Sequence, residues 1–600
     1  MINPNQTVVN SEKSIAVLPF VNMSNDPENE YFSDGITEEI INALTKIKGL
    51  KVIARTSSFA FKGKNLDIRT IGEQLGVSTI LEGSVRKIQN RVRITAQLIN
   101  AQDGLHFWSQ NFDRELDDIF TLQDEISLLL ANQIRDNFGH FDIQEHLIKQ
   151  PTKSVKAYDY FLKGRYYQLK WNPESIKKAT EFYDLAISND VEFARAYYGN
   201  LQCYGLLAIW GYMPTEEAMS LAIANFIKAK EIDTDLPEYI QSFIGKSFWE
   251  EWNYSQSYDL ILQLLKINPH HTDGLEAMAE LFMVNGYFVQ AEEYVKKALN
   301  VDPYSANHYY TYANLFYLQQ KFDQALVFLE KSLELNPELE LALHLKLMCL
   351  IWLNKKEVFE QAVTLAKEPT LPQMLINCIN ANQVELSPET LTEWANADEE
   401  KSQLIPYKLY ILANSTYKEE AFNLLEKYVS LKRGQVLYFK YEPFLASLHQ
   451  FKAIDKLFVT DFTLPENKPV IKEKVEENKI DQQELNAQRE QLLQYIETHQ
   501  PYLNPQLSLS FLAEEIALHP NKLSLLVNEE FKMNFNEFIN QYRLTHFKSI
   551  ALNESYKHLS VLALAYESGF NSKAVFNAFF KKAEGLTPSA WLKSARDKQS

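Results

Sequence analysis

Leu512-Ala513-Glu514-Glu515-Ile516-Ala517-Leu518 and Leu564-Ala565-Tyr566-Glu567-Ser568-Gly569-Phe570 repeat one pattern within the last hundred residues. In each copy a small residue, Ala513 or Ala565, lets a second helix pack close. Four residues later Ala517 or Gly569 stands where the chain must turn sharply. New helices are predicted from Pro520-Asn521-Lys522-Leu523 and Asn571-Ser572-Lys573-Ala574, because Pro520 and Ser572 suit a helical first turn. Two helix-turn-helix units in one chain point to DNA as a partner.

The flanking residues make the pattern more specific. They include Gln491-Leu492-Leu493-Gln494-Tyr495-Ile496, Phe538-Ile539-Asn540-Gln541-Tyr542-Arg543-Leu544, and Gly569-Phe570-Asn571-Ser572 followed by Phe576, Phe580-Lys581-Lys582 and Gly585-Leu586-Thr587-Pro588. On these motifs residues from about 485 to 597 resemble the DNA-binding domain of AraC-type transcription regulators. The resemblance implies two recognition helices on one face, entering successive turns of the major groove about 34 Å apart.

Helical spacing turns Leu523, Leu526, Phe576 and Phe580 toward a core. That leaves Asn521, Lys522, Ser524 and Asn528 in the first helix, and Asn571, Ser572, Lys573, Ala574, Asn577 and Lys581 in the second, as candidate DNA-facing residues. Asn can pair bidentately with adenine, Lys reaches guanine acceptors, and Ser is permissive. Arg543 and Lys582 are expected at phosphates, which position a protein without specifying sequence. AraC-type domains commonly carry DNA-contacting arginines at the positions matched here by Leu525 and Ala578. In the first unit Ala517 replaces the usual turn Gly and His519 the usual Ser or Thr cap. Two alternatives follow: A·T-rich sequence and DNA shape are read by Asn, Ser and Lys, or the first unit mainly clamps the backbone.

Six hundred residues exceed what one core organises, so several domains or a repeat array are expected. The net charge of −18 is unevenly spread. Residues 501–600 hold eleven Lys and Arg against nine Asp and Glu, a balance of +2 that leaves −20 on residues 1–500. An acidic body opposes non-specific DNA association and confines contact to the mildly basic end. Cys203, Cys349 and Cys378 are widely spaced, without metal-ligand spacing, so reduced, buried thiols in a cytoplasmic chain are expected. The start, Met1-Ile2-Asn3-Pro4-Asn5-Gln6, lacks the charged and apolar regions of a signal peptide. No apolar run approaches the ~18 residues needed to cross a bilayer, and no membrane partner is expected.

Residues 14–138 alternate strand and helix signals. Ile15–Phe20 and Lys51–Arg55 are predicted strands, each followed by a helix, Asp34–Leu44 and Ile68–Leu75, the latter capped by Gly76. Strands at Thr79–Ile88, Arg91–Asn100 and Leu105–Phe112 follow, then a long helix from about Asp118 to Asn137. A mixed sheet covered by helices is expected. Ala16-Val17-Leu18-Pro19-Phe20, Tyr31-Phe32-Ser33-Asp34-Gly35-Ile36, Ala54-Arg55-Thr56-Ser57-Ser58 and Leu81-Glu82-Gly83-Ser84-Val85-Arg86 resemble the TolB-like amino-terminal domain found ahead of helical repeats. That resemblance implies a fold and assigns no chemistry.

From about 150 to 460 the pattern is helical. Pro269, Pro303 and Pro337 recur at 34-residue steps, as do Ala291 with Ala325 and Phe288 with Phe322. With Tyr158–Asp190 as a further copy and Tyr197–Asp235 as one carrying an insertion at Gly211-Tyr212-Met213-Pro214, the stretch resembles tetratricopeptide repeats. A repeat solenoid offers a concave surface to a protein or peptide partner, while aromatics such as Tyr309, Tyr310, Tyr312 and Phe316 are expected to pack between repeats. After Pro337 the period blurs, although helical patterning persists to about Phe458. Pro465–Pro469 and the charged run Lys472–Lys479 read as an exposed linker, with a coupling helix as the alternative because the charges alternate and Pro is absent after 469.

No phosphate-binding Gly loop, metal motif or nucleophile elbow is present. Phe61-Lys62-Gly63-Lys64-Asn65 lacks the remainder of a P-loop. His270-His271 is adjacent rather than spaced by four, and Asp117-Asp118 precedes a helix whose dipole it suits. Neither enzyme activity nor a cofactor is expected. The expected architecture is multidomain: an α/β mixed-sheet domain (1–145), an all-α tetratricopeptide solenoid (150–460), a charged linker (461–484) and an all-α double helix-turn-helix domain (485–600). The reading is a cytoplasmic transcription regulator binding double-stranded DNA, with sensing or partner binding by the rest of the chain. The alternative is a repeat scaffold tethered to DNA by a weakened helix-turn-helix domain. A homodimer is compatible with either.

Overall fold

Alternation in the first hundred residues produces a sheet whose apolar face is covered by helices. The computed structural model describes residues 13–597 apart from 149, 171, 210–211, 235, 382–385, 388–389, 391–404, 458–461 and 466–481. The strands are β1 (Ser14–Val17), β2 (Val21–Asn22), β3 (Lys51–Val52), β4 (Thr79–Ile88), β5 (Arg91–Asn100) and β6 (His106–Glu115). They run in the order β3-β1-β4-β5-β6, with β2 also paired to β4. β1 is parallel to β3 and β4, whereas β4, β5 and β6 form an antiparallel meander, so the sheet is mixed. Helices α1 (Glu30–Leu44), α2 (Arg55–Phe59), α3 (Ile68–Leu75) and α4 (Ile119–Phe138) complete the domain.

The second strand is shorter than its sequence suggests. Lys51–Arg55 pairs only through Val52, and Arg55 instead begins α2. Its guanidinium stacks on Phe59 at 3.8 Å and meets Glu38 at 3.2 Å, contacts that a continuing strand could not make. α3 ends as expected at Gly76, in the left-handed conformation at φ +61°.

The 34-residue spacing becomes antiparallel helix pairs, among them Val155–Gln168 with Pro173–Asn189, Thr272–Val284 with Phe288–Val301, and Ala306–Leu318 with Phe322–Leu335. Ala291 and Ala325, one period apart, are fully buried where helices cross, and Pro303 and Pro337 occupy the turns between pairs. Tyr312 and Phe316 pack on Phe328 at 4.3 and 5.5 Å, within one helix pair and not between repeats as the sequence suggested. Cys203, Cys349 and Cys378 are buried as free thiols, and burial pushes Cys203 up to about 12. His271 caps the helix that follows it, accepting from Gly274 N–H at 3.3 Å.

Beyond Ser430 the helical expectation gives way to short 3-10 turns between Gly434 and Lys456. This segment folds back onto the first helices of successive pairs. Glu442 accepts from the Tyr317 hydroxyl at 2.5 Å and Phe444 packs on Trp352 at 5.0 Å, while beyond this segment Phe462 packs on Tyr258 of the helix Tyr254–Ile267 at 5.2 Å. Part of the surface expected to receive a partner is therefore covered by the chain itself. The run Lys472–Lys479 lies outside the described residues, and a helix resumes at Gln482.

The amino-terminal domain joins the repeats at two places. Tyr31 donates to Asp159 at 2.6 Å and Arg165 to Glu38 at 2.9 Å. Around the turn at Pro303, Ala54 N–H donates to Val301 O at 3.0 Å and Tyr304 N–H to the Ser57 hydroxyl at 2.8 Å. Among the described residues no helix is long and apolar enough to cross a membrane.

Candidate nucleic-acid interface

Each helix-turn-helix unit is built by a capped helix, a left-handed turn residue and a second helix. In the first, Ser508 caps Leu509–Glu515 by accepting from Phe511 N–H at 3.2 Å. Ala517 makes the turn at φ +52°, and His519 accepts from Asn521 N–H at 3.2 Å to start the first recognition helix, Pro520–Phe531. In the second, Ser560 caps Val561–Glu567, Gly569 turns at φ +88°, and the second recognition helix is Lys573–Glu584. An L side chain at such φ costs about 1–2 kcal/mol. The first unit carries that cost at Ala517; the second avoids it. At Gly569 there is a second constraint, because a Cβ would lie 2.1 Å from Tyr502 O.

The helix Phe535–Ala551 links the units, opened by a reciprocal capping box between Asn534 and Glu537. Phe538 and Ile539 enter the first core, while Leu544, Phe547 and Ile550 enter the second. Arg543 lies between these sets. It is not placed at a phosphate as the sequence suggested: its side chain is buried and donates to Tyr502 O at 2.8 Å and Asn504 O at 2.9 Å. Burial lowers its pKa to about 10, which leaves it charged at neutral pH. Because the Gly569 turn packs on the same Tyr502 backbone, Arg543 positions one unit against the other.

The two recognition helices present different surfaces. On the second, Lys573, Ala574, Asn577 and Lys581 are exposed, Phe576 and Phe580 fill the core, and Asn571, exposed, and Ser572, half-buried, lie just before the helix and not in it as the sequence suggested. Lys582 is exposed and pairs with Glu537 at 2.7 Å. Among the described residues, Lys573 and Lys581 have no ion-pair partner, which leaves both cations available to an anion.

On the first helix, Ser524 is buried beside Leu523 and Val527, so its expected exposure is corrected: one turn of the helix packs a wider face than the Leu spacing alone indicates. Lys522 is exposed and pairs with Glu484 at 3.2 Å. Asn521 is held by the amino-terminal domain. Its amide oxygen accepts from Arg135 at 2.7 Å and from Ile143 N–H at 3.4 Å, and its amide nitrogen donates to Ile143 O at 3.2 Å. Asn528 lies against Gly139 with its amide nitrogen buried. Charge follows the same division. Residues 501–550 hold four Lys and Arg against five Asp and Glu, a balance of −1, whereas residues 551–600 hold seven against four, a balance of +3.

Residues 512–594 match the family model described as a helix-turn-helix domain. The carboxyl-terminal module is an AraC-type helix-turn-helix domain. Residues 11–129, which hold the mixed-sheet domain, match the model described as the second domain of HilA/YgeH-like transcriptional regulators. A curated relative, putative adenylate cyclase 3 of Rhizobium meliloti (strain 1021), is 41% identical over 229 residues. That alignment spans 38% of this chain and 38% of the relative. Similar solved structures include PilF of Pseudomonas aeruginosa, with TM-score 0.27, 16% identity and coverage of 35% of this chain and 89% of that one. A tetratricopeptide repeat protein from Parabacteroides merdae has TM-score 0.27 and 13% identity, covering 48% of this chain and 100% of that one. Two regulator-type matches at opposite ends support a DNA-binding transcription regulator.

The engagement of Asn521 by Arg135 and Ile143 had no sequence signal. Nothing in a helical pattern at 119–138 indicates that its last turn meets a residue 386 positions away.

Proposed function

We propose that the chain is a non-enzymatic, sequence-specific transcription regulator of the cytoplasm whose second recognition helix reads bases. The observation that carries this reading is the exposed face of Lys573–Glu584 and the turn before it, where Asn571, Lys573, Asn577 and Lys581 stand clear of the core. Asn571 and Asn577 suit adenine, Lys573 suits guanine, Ser572 and Ala574 permit close approach, and Lys581 and Lys582 suit phosphates. Asn521, Lys522 and Asn528 would supply a second half-site when exposed. The amino-terminal domain, which keeps a TolB-like reading from its motifs, and the repeats receive the signal. A crevice of about 940 Å³ between α1 and the first repeats, lined by Glu38, Glu39, Arg165, Arg195, Gln202 and Asp273, is a fitting place for a polar ligand. A protein or peptide partner of the repeats and a homodimer belong to the same reading.

Selection of random duplexes by the full chain at moderate salt tests the proposal. Enrichment of a motif that depends on Asn571, Lys573 and Asn577 supports it, and absence of any enriched motif contradicts it.

A further inference from the structure

The last turn of α4 and the loop after it, residues 135–143, make a continuous line of polar contacts to the first helix-turn-helix unit. Besides the three bonds to Asn521, Asn534 donates to Asn137 O at 2.8 Å and Asn536 donates to the Asn137 side-chain oxygen at 2.9 Å. Leu509 N–H faces the Asp136 carboxylate at 3.5 Å, and Gly139 brings the backbone close enough that a Cβ there would lie 3.0 Å from the Asn528 amide. We propose that the amino-terminal domain is an autoinhibitory clamp that occupies the first recognition helix and keeps it from the major groove.

The inference rests on the DNA-binding reading of this domain and adds how it is controlled. A recognition helix presents residues near its amino end to base edges. Here Asn521 has its amide oxygen and nitrogen both committed to protein, so the bidentate pairing that suits adenine is unavailable until Arg135 and Ile143 withdraw. The clamp also belongs to residues 1–500, whose net charge of −20 opposes the approach of a polyanion to the closed chain.

The contact is built to be reversible. The apolar core that the amino-terminal domain shares with the first repeats and the two cores of the helix-turn-helix units are separate clusters, so among the described residues no shared hydrophobic core holds the clamp shut. Polar, weakly apolar contacts of this kind are those between which relative domain movement is expected. Both sides belong to one chain, so a modest contact still forms at high effective concentration. A signal need only favour the open arrangement over the closed one to expose the first unit.

Two variants of the full chain test this. Asn137→Glu puts a longer, charged side chain where the amide oxygen now meets Asn536 at 2.9 Å, a spacing that does not hold it, and opens the clamp. Asn137→Cys with Asn536→Cys, joined by a short bis-maleimide, locks it; the native thiols Cys203, Cys349 and Cys378 are buried and do not compete. Backbone amide exchange over residues 520–528, measured without DNA, should rise in the opened chain and fall in the locked one. Affinity for selected DNA should rise at least tenfold on opening and return to the parental value or below on locking. Faster exchange with unchanged affinity overturns inhibition, and unchanged exchange overturns the clamp itself. Failure of every form to bind DNA overturns the functional reading and the proposal with it, even where the exchange data establish the contact.

Discussion

The two helix-turn-helix units share a plan and differ in everything that DNA would meet. The first has an Ala at its left-handed turn, a charge of −1 across residues 501–550, and an Asn521 bonded to another domain. The second has Gly569 at the turn, a charge of +3 across residues 551–600, and an exposed recognition face. A shared motif thus fixes a fold but not an availability, because availability is decided by what else packs on the helix.

The largest expected effect separates the two surfaces directly. Replacing Asn571, Lys573 and Asn577 together by Ala should cost several kcal/mol of binding, at ~1–3 kcal/mol per base contact. Asn521→Ala in the chain locked through Asn137→Cys and Asn536→Cys should change affinity by less than about threefold, since that amide is there committed to protein. Titration of both variants against one duplex checks the asymmetry.

Gly569→Ala should come next. It combines a positive φ costing ~1–3 kcal/mol with a Cβ placed 2.1 Å from Tyr502 O. Amide exchange over residues 561–584 should accelerate strongly, with the first unit little affected.

Asp136 provides a finer test of the contact between domains. Burial pushes its carboxyl up to about 6, outweighing the opposing Arg135 charge and the Leu509 N–H. The closed arrangement therefore holds a proton more firmly than an exposed carboxyl does. Acidification from neutrality through about 6 favours closure through this group, and raising pH removes that contribution. His140, held below its ordinary value by burial, acts in the opposite direction, so substitution separates them better than a pH profile. Asp136→Asn should weaken DNA binding a few-fold at neutral pH by relieving a charge that the closed contact disfavours.

The smallest effect is expected at the first turn. Ala517→Gly should stabilise the carboxyl-terminal domain by about 1 kcal/mol, by removing the strain of an L residue at positive φ. A higher urea midpoint, with DNA affinity unchanged, would show that the substitution affects folding and not recognition.

Local regularities made much of this molecule legible. The 34-residue period predicts helix pairs because each repeat buries the same faces, and Ala291 and Ala325 lie at the crossings. The mixed sheet follows from strand signals whose limits differ from the observed ones by a few residues, Arg55 being the exception because its cation turns toward Glu38. The exposed residues of the second recognition helix follow from the spacing of Phe576 and Phe580. What remained hidden is what long-range packing decides. Arg543 looks like a surface cation until the Tyr502 and Asn504 carbonyls draw it inward. Asn521 looks like a base reader until Arg135 reaches it, and the segment 434–456 looks like further repeats until Glu442 and Phe444 are found against Tyr317 and Trp352.

A hydroxyl-radical footprint of the full chain on its selected duplex, beside that of the Asn137→Glu chain, tests the central claim most directly. The parental chain should protect one turn of major groove, and the opened chain should protect a second about 10 base pairs away. Protection of both turns by the parental chain would contradict the asymmetry between the two units.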